Sequence, residues 1–214
     1  TDDDVAGFTI VESDGTTSVD ESGTTDTVTV VLDAQPTSDV VISISSEDAG
    51  EATTTGTLTF SPLNWDTPQT ITITGVDDDI IDGSINSNTV IAVIDEISDD
   101  SFDAVADQTV SVTTTDDDAA GFTIVESNGS TEVAESGTTD TVTVVLDAEP
   151  ASDVVISISS DDTGEATVTS TLTFTSANWD TPQTATVTGA DENIIDGDQT
   201  STITISIDDA NSDD

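Results

Sequence analysis

The sequence predicts an all-β chain built as tandem immunoglobulin-like antiparallel β-sandwiches of about seven strands each. Three observations predict it. Apolar residues are largely Val and Ile and alternate with Thr and Ser, as in TVTVV, VISIS, TLTF, TITIT and TVSVT; period-two alternation marks a strand with one dry and one wet face. Met, Lys and Arg, all good helix formers, are absent. Finally, the chain repeats itself. ESGTTDTVTVVLDA at Glu21–Ala34 returns at Glu135–Ala148, SDVVISISS at 38–46 returns at 152–160, and NWDTPQT at 64–70 returns at 178–184, always 114 residues apart. A gapless period of that length is a whole domain, not one turn of a solenoid.

In the first copy the strands are read from alternation and from the turn residues between runs. The first spans Gly7–Glu12. TVTVV places the second at Thr25–Ala34, VISIS the third at Val40–Ser46, and TLTF the fourth at Gly56–Phe60. TITIT places the fifth at Gln69–Val76, the sixth falls at about Asn88–Asp95, and TVSVT places the seventh at Gln108–Thr115. About seven short strands in roughly a hundred residues is the count of an immunoglobulin-like sandwich. Phe8, Leu58, Phe60 and Trp65 are expected in its core, with Trp65 and Trp179 plugging sandwich ends. Asp2-Asp3-Asp4 matches Asp116-Asp117-Asp118, so residues 1–4 read as the tail of a preceding repeat, 5–118 as repeat one and 119–214 as repeat two. Repeat two has no counterpart of Ser101–Asp118, hence no last strand. Its sheet edge is expected to be open unless another chain supplies that strand.

The charge balance is extreme: 46 Asp and Glu, no Lys, Arg or His, and a formal net charge of -46. No side chain can form a salt bridge, so the counter-charge must come from solution. Without Cys there are no disulfides or thiolate metal sites, and without His the usual general base and zinc ligand are missing. Without Lys or Arg, nucleic acid and anionic membranes are repelled. No enzyme activity and no direct membrane binding are expected.

Topology gathers the acids. In an antiparallel sandwich the loops after the first, third and fifth strands, and the segment after the seventh, arrive at one pole. Those segments carry Asp14, Asp20 and Glu21; Glu47, Asp48 and Glu51; VDDDIIDG with Asp77, Asp78, Asp79 and Asp82; and Asp116-Asp117-Asp118. Carboxylates brought together this way repel one another. Ca²⁺, which takes six to eight oxygens, is the cation that suits them. Acids recur at matching positions of repeat two: Glu135, Asp161, Asp162, Asp191, Glu192 and Asp196. The cluster there is expected to be incomplete, because its closing triplet is missing from the sequence. Between the repeats stand only Ala119-Ala120, too short for a free hinge. Cation at this junction is expected to join neighbouring repeats and fix their angle.

VDESG, SSEDAGEAT, GTLTF, VDDDIID and TTTDDDAAG together resemble Calx-beta domains, the calcium-binding modules of sodium–calcium exchangers and many bacterial surface proteins. The resemblance covers repeat one and as much of repeat two as is present. By position it implies Glu21, Asp48, Asp77, Asp78, Asp82, Asp116, Asp117 and Asp118 as Ca²⁺ ligands, with Glu135, Asp162, Asp191, Glu192 and Asp196 in repeat two; the choice between Glu47 and Asp48 stays open. Asp82-Gly83 departs from the family, which more often has a run of Glu there. The tandem style is also similar to extender repeats of giant calcium-dependent (RTX-type) bacterial adhesins. The expectation is a calcium-rigidified spacer of a secreted adhesin or extracellular fibre, at the cell surface or outside the cell, whose partners are neighbouring repeats and like chains. Three other readings compete. A calcium-sensing module of a transporter or receptor needs a switch surface that the sequence does not offer. An adhesin tip or glycosidase would need more than Thr-x-Thr rows (Thr27/Thr29, Thr72/Thr74) and paired acids without an aromatic platform. A salt-adapted protein would scatter its acids rather than gather them at loop ends.

Overall fold

The computed structural model describes residues 4–195 and 197–212. The chain divides into two compact units, one of residues up to 78 together with 82–117, the other of 79–81 together with 118 onward.

The first unit contains β1 (Phe8–Glu12), β2 (Thr17–Asp20), β3 (Thr25–Leu32), β4 (Val40–Ser46), β5 (Ala52–Thr54), β6 (Thr57–Phe60), β7 (Gln69–Gly75), β8 (Ile85–Val93) and β9 (Gln108–Thr115). One sheet has the order β1-β3-β7-β5, the other β2-β9-β8-β4-β6. Every pair is antiparallel except β2 with β9, which run parallel from Thr17↔Val112 to Asp20↔Thr115. All seven expected strands are present. Two short strands add to them: β2, after the Ser13–Gly15 break, lets the N-terminal run change sheets, and β5 joins the β7 sheet before β6 joins β4. The sixth strand starts at Ile85, earlier than alternation suggested, because the inward positions there are the polar Ser87 and Thr89.

Alternation accounts for the core. Val28, Val30, Leu32, Ile71 and Ile73 face in from one sheet; Val40, Ile42, Ile44, Phe60, Ile91, Val110 and Val112 face them from the other. Each such side chain contributes roughly 1.5–3 kcal/mol on burial. Phe8 and Leu58 join this core, and Trp65 packs against it half-buried. The strands of this unit carry three acids, Glu12, Asp20 and Asp26, all near strand ends. Asp26 accepts hydrogen bonds from Ser13 Oγ (2.7 Å) and Ser18 N–H (3.0 Å), which fastens the β1–β2 connection. The remaining acids are left to the loops.

The acidic run before β9 forms two 3-10 turns, Asp95–Ile97 and Asp100–Phe102. Here Asp99 is buried. It accepts from Thr37 N–H (2.6 Å), Thr37 Oγ1 (2.7 Å), Ser38 N–H (2.8 Å), Ser101 N–H (3.0 Å) and Ser101 Oγ. These donors, the Ser101 hydroxyl foremost, hold its carboxyl well below the usual carboxylate range.

The second unit contains β10 (Phe122–Glu126), β11 (Thr139–Leu146), β12 (Val154–Ser160), β13 (Ala166–Val168), β14 (Thr171–Phe174), β15 (Gln183–Gly189) and β16 (Ile203–Ile207). Its sheets are β10-β11-β15-β13 and β14-β12-β16. Register repeats that of the first unit: Phe122↔Leu146 matches Phe8↔Leu32, and Ile156↔Ile207 matches Ile42↔Val93. Thr131–Ala134, the counterpart of β2, is not a strand, since the sequence holds no counterpart of β9 for it to pair with.

Candidate metal centre

The site in the first unit is built around one glutamate. A tight turn at Asp20–Thr24 presents it. The Asp20 carboxylate accepts from Ser22 N–H (3.1 Å), from Ser22 Oγ and from Thr115 Oγ1 (2.9 Å). Gly23 N–H and Thr24 N–H return to the Asp20 carbonyl at 3.1 and 3.3 Å. Gly23 takes φ +87°, a left-handed conformation that favours glycine. The Glu21 N–H donates to the Thr115 carbonyl at 3.1 Å, fixing the turn to the end of β9. On its other side the turn lies against Gly75, where a Cβ would stand 2.1 Å from the Asp20 carbonyl oxygen.

This geometry turns the Glu21 side chain inward. It is 1% exposed, and neither of its carboxylate oxygens has a hydrogen-bond partner. Asp78 places a carboxylate oxygen within 4.8 Å of a Glu21 oxygen. Burial above all, then the neighbouring charges of Asp116, Asp78, Asp82 and Glu51, push the Glu21 carboxyl up to about 7. Glu51 is 8% exposed, with Oε2 buried and unpaired. Its carboxyl is also raised, by burial first and then by Asp82, Asp48, Asp78 and Asp116. Gly83, at φ +74°, donates its N–H to Asp116 Oδ2 at 2.7 Å and so ties the loop before β8 to the end of β9.

Two buried carboxylates, three of whose oxygens are buried without a donor, ringed by four more acids, are costly: an unpaired buried charge is penalised by several kcal/mol. The sequence has no basic side chain to offset that cost. Only a proton or a cation from solution can. The donor set is all oxygen, hard and multiply anionic, as Ca²⁺ favours. Zn²⁺ prefers nitrogen and sulfur, and Mg²⁺ tends to keep several of its waters. The residues present therefore fit Ca²⁺.

Of the residues singled out from the sequence, Glu21, Asp48, Asp78, Asp82 and Asp116 are brought into one electrostatic neighbourhood. Asp77 and Asp117 are exposed, and Asp118 is half-buried and falls with the second unit. Glu47 accepts from Asn88 Nδ2 at 2.9 Å, whereas Asp48 acts on Glu51. The Asp48 carboxylate also takes Gly50 N–H at 3.0 Å. Glu51 is the residue that the sequence-based ligand set omitted. Its signal was the GEAT segment that recurs at Gly50–Thr53 and Gly164–Thr167.

Among the described residues, the second unit does not rebuild this arrangement. Glu135 is exposed, as are Asp162 and Asp191, and Glu192 is half-buried; Asp196 lies outside the described residues. Asp162 repeats the turn of Asp48, accepting Gly164 N–H at 2.9 Å. Gly189 repeats the close approach of Gly75, here to the Ala134 carbonyl at 2.1 Å. Ala134 stands where the first copy has Asp20, and no residue of this sequence corresponds to Thr115. Glu135 thus lacks both anchors that turn Glu21 inward.

No protein-family model matches the sequence, and no curated protein does. Among solved structures the chain is similar to CBD12 from CALX1.2, at 17% identity over 92% of this chain and 79% of that one, with a TM-score of 0.35. It is similar to the calcium binding domain CBD12 of CALX1.1 at 17% identity over 82% and 73%, with a TM-score of 0.38. It is also similar to the E. coli chaperone DraB at 8% identity over 87% and 89%, with a TM-score of 0.39. Likenesses this distant assign no function; the donor set around Glu21 is what bears on one.

Proposed function

We propose that this chain is a calcium-binding structural repeat, a spacer of a secreted surface adhesin or extracellular fibre. One observation carries the calcium reading: the buried, unpartnered Glu21 carboxylate facing Glu51, Asp78, Asp82 and Asp116 in a chain without cationic side chains. Glu21 and Glu51 supply the buried oxygens, and Asp48, Asp78, Asp82 and Asp116 complete the set. Bound Ca²⁺ supplies the positive charge that lets these acids ionise together.

The spacer role is supported by two closely similar copies at an offset of 114 and by an amino-acid inventory without His, Cys, Lys or Arg, which favours a non-catalytic part. The two-residue Ala119-Ala120 connection supports a stiff array over a hinged one. Millimolar calcium, available outside cells, stabilises a micromolar site by about 4 kcal/mol. Calorimetric titration of chelator-treated protein tests the binding, and small-angle scattering with and without calcium tests the spacer. Calcium uptake that Glu21→Gln abolishes, with stiffening of the chain on binding, supports the reading. Absence of millimolar-range uptake sinks the calcium part; uptake with no change in scattering sinks the spacer part.

A further inference from the structure

The inward row of β8 reads Ile85, Ser87, Thr89, Ile91, two hydroxyls between two isoleucines. Ser87 is 9% exposed and Thr89 1%, and neither hydroxyl has a hydrogen-bond partner. Their neighbours in the sheet do not supply one. Ser87 stands opposite Val112 and Thr89 opposite Val110. On its other side Thr89 meets Ser46, whose Oγ already donates to the Asp48 carbonyl (2.7 Å) and accepts the Asp48 N–H (3.1 Å). The other buried hydroxyls of this end are engaged: Thr17 Oγ1 donates to Glu12 Oε2 at 2.9 Å and Thr114 Oγ1 to the Glu51 carbonyl at 3.4 Å. The fold itself does not demand a hydroxyl here. In the second copy Ile203 holds the place of Thr89, paired to Ser160 as Thr89 is to Ser46. A buried hydroxyl kept where an aliphatic side chain fits calls for a partner.

We propose that Ser87 and Thr89 hold an ordered water inside the first sandwich, in the layer beneath the Glu21 and Glu51 carboxylates. Same-face side chains two residues apart on a strand start about 6.8 Å from each other, too far for the hydroxyls to bond directly. A water bonded to both at about 2.8 Å bridges roughly 5.6 Å. Water donates and accepts, so it serves each hydroxyl whichever way it turns, whereas two neutral hydroxyls are too few ligands for a cation. β9 relates this water to the acidic pole. Val112, opposite Ser87, lies two residues before Thr114, which touches Glu51, and three before Thr115, whose carbonyl holds the Glu21 N–H. A hydrated layer there makes the surroundings of two buried carboxylates more polar and eases their ionisation. That consequence rests on the function proposed above; the water does not.

The test uses the full chain in chelator, with Trp179→Phe so that Trp65 reports on the first unit. Thr89→Val and Ser87→Ala are each expected to raise its unfolding constant about fivefold. Because they share one water, the double variant should be at least about threefold less destabilised than the product of the single effects. Oxygen-17 relaxation dispersion should count one long-lived internal water fewer in the double variant. Thr89→Val that stabilises the unit overturns the proposal, since deleting a hydroxyl without a partner removes only its desolvation cost. Strictly additive effects, or an unchanged count of long-lived waters, overturn it as well. Calcium titration of the double variant is read separately, with weaker binding expected. Loss of the water with unchanged calcium affinity upholds the water site and overturns the ionisation consequence alone.

Discussion

Glu21→Gln removes a charge at nearly constant shape and separates what that charge does with and without calcium. Its carboxyl is raised from 4.5 to about 7 in the folded protein. A folded-state value above the unfolded one means the unfolded chain ionises more readily. The cost to folding is therefore absent below pH 4.5, grows between 4.5 and 7, and is complete above 7, where it reaches about 3 kcal/mol. In chelator at pH 8 the glutamine variant should gain that amount, which raises the melting temperature of the first unit by on the order of 10 °C. At pH 4.5 and below the gain should vanish. Calcium at a thousand times Kd adds about 4 kcal/mol to the wild type; a variant binding a hundredfold more weakly gains about 1.4 kcal/mol under the same conditions. Urea or thermal unfolding in a Trp179→Phe background isolates the Trp65 signal and hence the first unit. A variant no more stable than wild type in chelator at pH 8, or one stabilised by calcium as strongly as wild type, refutes the reasoning.

Further outcomes follow from the same geometry. Calcium affinity should fall as pH drops through about 7, because Glu21 must lose its proton to bind; calorimetry in buffers of different ionisation enthalpy should detect proton release at neutral pH. Asp99→Ala leaves the Thr37, Ser38 and Ser101 amides without their acceptor and should cost about 3 kcal/mol or more, while calcium affinity stays unchanged. Because the folded-state value of Asp99 is depressed, its contribution is present above the unfolded value and is lost as pH falls through the folded one. Gly75→Ala pushes the Asp20 carbonyl away and displaces Glu21, so equilibrium dialysis should show at least about tenfold weaker binding. Glu135→Gln, at an exposed position, should leave the calcium affinity of the chain alone unaltered.

Much of the fold was legible because Val/Ile–Thr/Ser alternation is the direct record of a sheet with one buried face. VISIS gave Val40–Ser46 and TVSVT gave Gln108–Thr115 at their observed bounds. Alternation failed where inward positions are polar, as at Ser87 and Thr89, and where strands are too short to alternate, as at Ala52–Thr54. Topology brought the right loops to one pole, but which acids turn inward depends on contacts that no local pattern records. Glu21 is buried because Thr115, nearly a hundred residues away, holds its backbone, and because Gly75 lets the turn approach. The identical ESG segment at Glu135 lacks the first of these and points to solvent. Glu51 stood among the acids gathered at the pole, but no local pattern marks it as one that turns inward. No local pattern singles out Asp99 either, yet it ties the turns before β9 to Thr37 and Ser38.

Anomalous diffraction from crystals grown in millimolar calcium tests the central claim most directly. An ion is expected 2.3–2.6 Å from the Glu21 carboxylate, shared with Glu51 and Asp78. A map with no ion among those three side chains, at a pH where Glu21 is ionised, contradicts it.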